Sequence, residues 1–288
     1  MSESNSNQTI PIRRQVVNIP DFVVKATTDV PQPKETSKYP TELIPLPTHG
    51  WFYAEGHPLS CGEIEIKQMT AKEEDLLANT ELIKKGKVLD KLLESVIVNK
   101  AIKLDEILIP DTNAIFIAMR RLAYGDDYDV LVECPRCSAQ NKVRINLSEL
   151  SYKSFNFEEH PKGQNSFAFK LPNSGVTITY KLLNKIDEQA IDAELAQIKR
   201  ISKESTGELT TRLKYLITSI DGNIDKLSVR KFVDERMTAK DSSALRKHIR
   251  EYNPDVDMTF DFKCDECNYE RRLDMPLGAS FLFPDVNT

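Results

Sequence analysis

Residues 131–147, LVECPRCSAQNKVRINL, and residues 260–277, FDFKCDECNYERRLDMPL, decide how this chain folds. Each holds a Cys-x-x-Cys pair, Cys134 with Cys137 and Cys264 with Cys267, between two runs that read as strands. Leu131 to Cys134 leads into the first pair, and Val143, Ile145 and Leu147 alternate after it. Phe260 and Phe262 lead into the second, and Leu273, Met275 and Leu277 alternate after it. A Cys-x-x-Cys turn at the tip of a β-hairpin points two thiolates to one side, and two such knuckles complete a tetrahedral four-sulfur site. The expected metal ligands are therefore Cys134, Cys137, Cys264 and Cys267, sharing one structural zinc. With four thiolates bound, no coordination position stays open for catalysis.

The two stretches belong to a longer internal match. The cysteine pairs are 130 residues apart, and the same shift lays Asp111-Thr112-Asn113-Ala114-Ile115 on Asp241-Ser242-Ser243-Ala244-Leu245 without a gap. An earlier block, Gly62 to Lys67, matches Val176 to Lys181 at a shift of 114, with Ile64 on Ile178 and Ile66 on Tyr180. The difference leaves 16 extra residues inside the second copy. This pattern predicts an α+β fold made of internally duplicated strand–helices–cysteine-tipped β-hairpin units that share one zinc-knuckle-type site. The expected layout is an extended or disordered arm over residues 1–45, a first repeat over 46–150, a connector over 151–175 and a second repeat over 176–288.

Redox chemistry is the rival use of the cysteines. A thioredoxin-like pair sits at a helix N-terminus, which lowers one thiol pKa. Here an alternating strand, and not a helix, follows Cys137. Composition bounds the remaining classes. The chain has 288 residues, 40% hydrophobic and 29% charged, with a formal net charge of −5. No run approaches the roughly 18 apolar residues of a membrane span. Met1 to Gln8 is polar and lacks the apolar core of a secretory signal. A cytosolic setting is expected, where paired cysteines read as metal ligands or redox groups. Cys61 has no partner at motif spacing and reads as an incidental thiol.

Along the chain, residues 1–45 carry Pro11, Pro20, Pro31, Pro33, Pro40 and Pro45 among Ser, Asn, Gln and Thr. Such a stretch buries too little surface to offset its ordering entropy, so it stays disordered or folds onto a partner. Leu46 to Tyr53 reads as a turn that tucks Trp51, Phe52 and Tyr53 against the core. Thr70 and Glu73 have capping-box spacing. Val88, Leu89, Leu92, Leu93, Val96 and Ile97 form a helical stripe. Asp111 or Thr112 is expected to cap a helix ending near Gly125. In the connector, Phe155, Phe157, Phe167 and Phe169 alternate in two strand-like pieces. After Asn184 a helix is expected through Ile191, Leu195 and Ile198. Leu213, Leu216, Ile217 and Ile220 make the next stripe, and a last helix spans Asp241 to Tyr252. Phe281-Leu282-Phe283-Pro284 should dock on its own domain or on a neighbouring subunit.

Zinc ribbons often bind nucleic acid, and Arg120-Arg121, Arg246-Lys247-His248 and Arg271-Arg272 are the candidate contacts. These short clusters are interleaved with Asp126, Asp127, Glu251 and Asp265 and lack an aromatic stripe, so a solvated surface is the better reading. The four histidines, His49, His57, His160 and His248, are scattered, and no phosphate loop, nucleophile elbow or metalloprotease helix is present. No catalytic residue is assigned.

Leu46-Pro47-Thr48-His49-Gly50-Trp51-Phe52-Tyr53, then the strand Ile64 to Ile66, then Met69-Thr70 and the acidic helix start Glu73-Glu74, form an ordered set. Arg120-x-x-x-Tyr124-Gly125 and the Cys134-Pro135-x-Cys137 pair complete it. In this order the chain resembles the baseplate hub proteins, also described as hub assembly chaperones, of T-even-type contractile-tailed phages. The resemblance covers residues 43–150 closely and the second half loosely. It implies a non-enzymatic tail protein whose partners are other baseplate hub and tail proteins, in the host cytoplasm during assembly or in the virion baseplate. It implies neither a membrane nor a nucleic-acid partner. The alternative is a zinc-ribbon nucleic-acid-binding protein.

Overall fold

The fold begins with an edge strand that the proline-rich composition conceals. The structure, a computed structural model, describes residues 40–84, 86–201, 207–275 and 279–282. Residues 1–39, most of the expected arm, lie outside them, as do Leu277 and Phe283-Pro284. β1 (Thr41–Pro45) pairs antiparallel with β2 (Glu63–Lys67), bringing Ile44 opposite Ile64. The last five residues assigned to the arm are thus strand. Among the described residues β1 pairs with β2 alone, an edge position where the missing N–H of Pro45 is tolerated. The loop between them buries Leu46, Phe52 and Tyr53. Gly50, at φ +69°, is obligatory there, because a Cβ would lie 2.4 Å from the Leu59 carbonyl oxygen.

Four helices follow: α1 (Ala71–Leu77), α2 (Thr80–Lys84), α3 (Val88–Val96) and α4 (Ile109–Tyr124). The expected capping box forms at α1. Glu73 is fully buried, paired with Lys67 at 2.8 Å and hydrogen-bonded by Ser95 and Thr70. Burial alone would raise its pKa, but those hydrogen bonds outweigh it and hold the carboxyl at about 2. α4 begins earlier than expected. Leu108 is its N-cap and Pro110 lies in its first turn, where the missing N–H costs nothing. Asp111 is therefore inside the helix and is not its cap. Its buried carboxylate accepts the Thr48 N–H at 3.2 Å, the Thr48 hydroxyl at 2.8 Å and the Tyr53 hydroxyl at 2.6 Å. Burial pushes Asp111 up to about 6, with these hydrogen bonds partly offsetting it.

The hairpin of β3 (Asp127–Glu133) and β4 (Gln140–Asn146) follows α4 directly. In the connector, β5 (Phe167–Lys170) is strand, but Phe155 and Phe157 are not. Phe157 starts a 3-10 turn, and the two rings pack on Phe52 at 5.7 and 6.1 Å. Their alternation serves an aromatic cluster and not a ladder. β5 pairs with β6 (Thr177–Tyr180), which pairs with β7 (Ile217–Ile220), in the order β5-β6-β7. Here Ile217 and Ile220, read as helix, are strand. α5 (Lys185–Ile201) and α6 (Glu208–Leu216) precede them, and the β-branched run after Leu216 turns into the ladder. α7 (Lys226–Glu235), unforeseen, is capped by Asp225, which accepts the Ser228 N–H at 2.8 Å. α8 (Ala239–Tyr252), capped by Thr238, holds Asp241 inside its first turn, again earlier than expected. β8 (Thr259–Lys263) and β9 (Glu270–Asp274) form the second hairpin, and α9 (Ala279–Leu282) closes the described chain. Phe281 packs edge-on against Tyr128 at 5.0 Å, so that part of the tail docks on its own chain.

The mixed α/β body has small sheets and one continuous apolar core drawn from both halves. Backbone bonds also join the halves: Ile109 N–H to Leu183 O at 2.9 Å, Lys153 N–H to Asp255 O at 2.9 Å and Asp257 N–H to Ser151 O at 2.8 Å. Similar local devices recur in each half. Lys181 pairs with Asp187 at 2.7 Å as Lys67 does with Glu73. The Asn173 N–H reaches Asp241 at 2.7 Å as the Thr48 N–H reaches Asp111. After α3, Ile97 bridges to Ile66; after α6, Ile217 pairs with Tyr180.

Asp111→Ala should lower the unfolding free energy by about 2–4 kcal/mol in urea titrations, because three donors lose their buried acceptor. Glu73 gives a pH signature. Its pKa is lowered from 4.5 to about 2, so its contribution is complete above pH 4.5 and is lost as pH falls towards 2. The stability difference between wild type and Glu73→Gln should shrink across that window.

Candidate metal centre

The two hairpin tips have the same construction. In the first, the Cys134 N–H bonds to Ala139 O at 2.9 Å and the Ser138 N–H to Cys134 O at 2.9 Å. In the second, the Cys264 N–H bonds to Tyr269 O at 2.9 Å and the Asn268 N–H to Cys264 O at 3.0 Å. Ser138 and Asn268 both take left-handed backbone, at φ 58° and 52°, which brings the two cysteines of each pair to one side. No helix follows either pair, and this removes the dipole that a thioredoxin-like nucleophile relies on.

The hairpins meet tip to tip. Cys134 Sγ lies 3.7 Å from Cys267 Sγ, and Cys137 Sγ 3.6 Å from Cys264 Sγ. All four sulfurs fall within 4.8 Å of one another. A tetrahedral ion with metal–sulfur bonds of about 2.3 Å would need sulfur–sulfur edges of about 3.8 Å. Cys134 and Cys264 are buried, while Cys267 is half-buried and Cys137 exposed. Phe262, Val132, Val143, Phe260, Tyr269 and Leu273 wrap the sulfurs in a small apolar cluster, which Val143 and Phe260 link to the main core.

The donor set also fits a cation electrostatically. Burial opposes ionisation of Cys264, yet the N–H groups of Cys267 and Glu266 and the neighbouring thiols bring it down to about 6. The Ala139 N–H favours a Cys137 thiolate, but the surrounding sulfurs and burial push that thiol up to about 12. One thiolate is comfortable here, and each further charge is repelled by the first unless a positive ion compensates. The arrangement is compatible with a metal site.

All four cysteines expected from the spacing are brought together. Cys61 is exposed and stays outside the cluster. The sequence reading missed Asn141, a buried amide that reaches from one knuckle to the other. The basic clusters are largely taken up within the chain. Arg120 is buried 4.9 Å from the Tyr124 ring centroid, Arg121 pairs with Asp126 at 2.6 Å, and Arg272 with Asp257 at 2.7 Å. The histidines pack on aromatic or charged side chains: His49 stacks on Phe157, His160 on Phe155 and His248 on Phe169, while His57 contacts Glu106. Among the described residues, no helix is long and apolar enough to cross a membrane.

No curated protein and no solved structure matches the chain. A family model described as T4 bacteriophage base plate protein matches residues 54–282. That span runs from the aromatic loop after β1, through both cysteine-tipped hairpins, to α9. Since it takes in well over half of the sequence and the whole cysteine site, the chain belongs to the T4 bacteriophage base plate protein family.

Proposed function

We propose that this chain is a non-enzymatic component of the phage baseplate hub, or a factor required to assemble it, built around a structural zinc held by Cys134, Cys137, Cys264 and Cys267. The observation that carries the baseplate role is the family match over residues 54–282, and the hub assignment adds to it the ordered motifs from Leu46 to Cys137. Its partners are then other baseplate and tail proteins. Zinc is favoured over other ions by four cysteine sulfurs as the donors and by near-tetrahedral spacing. Zinc there would neutralise the thiolates and hold one hairpin tip to the other, with no position left for substrate.

The body reads as two repeats, residues 46–150 and 176–288, joined by the connector 151–175 and preceded by the arm 1–45. Support comes from the paired devices of each half: a Lys–carboxylate pair at the first helix, a buried aspartate inside the helix before the hairpin, and the knuckle itself. The second repeat is longer in part because the uninterrupted α5 of 17 residues stands where the first has the shorter pair α1 and α2, and because α7 stands where the first has a 3-10 turn at Leu104–Glu106.

Quantitative mass spectrometry of virions and baseplate assembly intermediates tests the role. Fixed stoichiometry in the virion identifies a hub component, presence in intermediates alone identifies an assembly factor, and absence from both overturns the proposal. The purified chain should carry about one zinc, and Cys264→Ser should carry none. Because the sulfurs sit in a small cluster at the hairpin tips while Tyr128 and Ile145 lie in the main core, chelation should raise amide exchange in residues 132–141 and 262–271 while α4 and β6 stay protected. Full metal-free protection of both hairpins would count against the structural role.

A further inference from the structure

We propose that Asn141 is the positioning residue of the four-cysteine site, holding the second knuckle in register with the first so that the thiols remain gathered without metal. The inference rests on the metal reading above for its effect on affinity, but the contact itself does not depend on it.

Asn141 is the second residue of β4 and is 3% exposed, a polar side chain beside an apolar cluster. Both ends of its amide are used. Nδ2 donates to the Ala139 carbonyl at 2.9 Å, within its own knuckle. Oδ1 accepts the Asp265 N–H at 2.9 Å, from the turn between Cys264 and Cys267. The Ala139 carbonyl also closes the first knuckle by accepting the Cys134 N–H. Asn141 is thereby anchored at the base of one knuckle and reaches the backbone of the other. A buried amide with both ends satisfied has one rotamer, so the contact fixes distance as well as orientation.

The reciprocal contact is missing, and the sequence accounts for it. Residue 130 positions after Asn141 is Arg271, which is exposed. The residue standing in the first knuckle where Asp265 stands in the second is Pro135, which has no N–H to donate. Donor and acceptor are lost together on that side and kept together on the other. Apart from the sulfur–sulfur contacts and the apolar packing, the registration of the two tips among the described residues is therefore carried by this one-way hydrogen bond. It bears directly on the cross-knuckle sulfur pairs, Cys134 with Cys267 and Cys137 with Cys264, whose spacing depends on the relative placement of the tips.

The test uses the full chain. In metal-free wild type, the Asp265 amide should be protected from hydrogen exchange, and Asn141→Ala should speed its exchange by about tenfold or more. Zinc affinity, read by competition with a chromophoric chelator, should fall by about 10–100-fold, the range for outer-shell partners of a metal site. Arg271→Ala, at the reciprocal position, should move neither readout. Asp265→Pro deletes the donor and copies what Pro135 already places in the first knuckle. It should lower zinc affinity to the same extent, and combining it with Asn141→Ala should add nothing further. Unchanged exchange in Asn141→Ala, or additive losses in the double variant, would overturn the proposal. If Asn141→Ala does not fold, Asp265→Pro alone decides through affinity. If wild type binds no zinc, the metal reading fails, and the exchange of the Asp265 amide still decides the role of Asn141.

Discussion

Two buried carboxylates set the geometry on which the rest depends. Asp111 and Asp241 are fully buried within the first turns of α4 and α8, and each accepts a backbone N–H from the turn that follows a strand. A carboxylate removed from water must be hydrogen-bonded, so displacing the turn while the carboxylate stays buried would leave it unpaired at a cost of about 1–3 kcal/mol or more. α4 runs directly into the first hairpin, and α8 leads through a short segment into the second. Anchoring the helix start thus fixes where each pair of cysteines is delivered.

The two aspartates are held differently. Asp111 is satisfied by Thr48 and Tyr53, and Tyr53 also accepts the Leu108 N–H at 3.0 Å, tying the aromatic loop to the helix N-terminus. Asp241 is bonded by the N–H groups of Asn173 and Ser174 and by Thr238. Burial raises Asp111, whereas the denser set of donors outweighs burial at Asp241 and lowers it. Asp111 therefore resists ionisation, whereas Asp241 favours it.

The chain belongs to the T4 bacteriophage base plate protein family, and many of its charged side chains are paired within the chain. Three of the basic residues singled out as candidate nucleic-acid contacts are engaged within the chain: Arg120 between tyrosines, Arg121 on Asp126 and Arg272 on Asp257. The cysteine cluster is a satellite of the main core, with its own aromatic wrapping. A metal there would stiffen the hairpin pair and leave the core to hold the two halves, which are joined already by Leu108 with Asn184 and Tyr152 with Val256.

The sequence alone made the four cysteines, the capping box at Thr70 and the stripe of α3 legible, because each rests on short-range spacing that covalent geometry enforces. Turn chemistry at Ser138 and Asn268 reproduces the same knuckle wherever Cys-x-x-Cys meets two strands. Residues whose state depends on distant partners were not legible. β1 is strand because β2 lies beside it, and Ile217 to Ile220 leave the helical pattern because β6 offers a ladder. Phe155 and Phe157 alternate without pairing because Phe52 draws their rings inward. In sequence Asp111 looks like a helix cap and Asp241 like a helix start, and both become buried anchors only when Thr48 and Asn173 reach them. Asn141 reads as one polar residue in a strand until the second knuckle, more than a hundred residues away, presents the Asp265 N–H. Local spacing determines which groups can form a site; tertiary packing decides which polar groups are buried, and burial is what gives a hydrogen bond its structural weight.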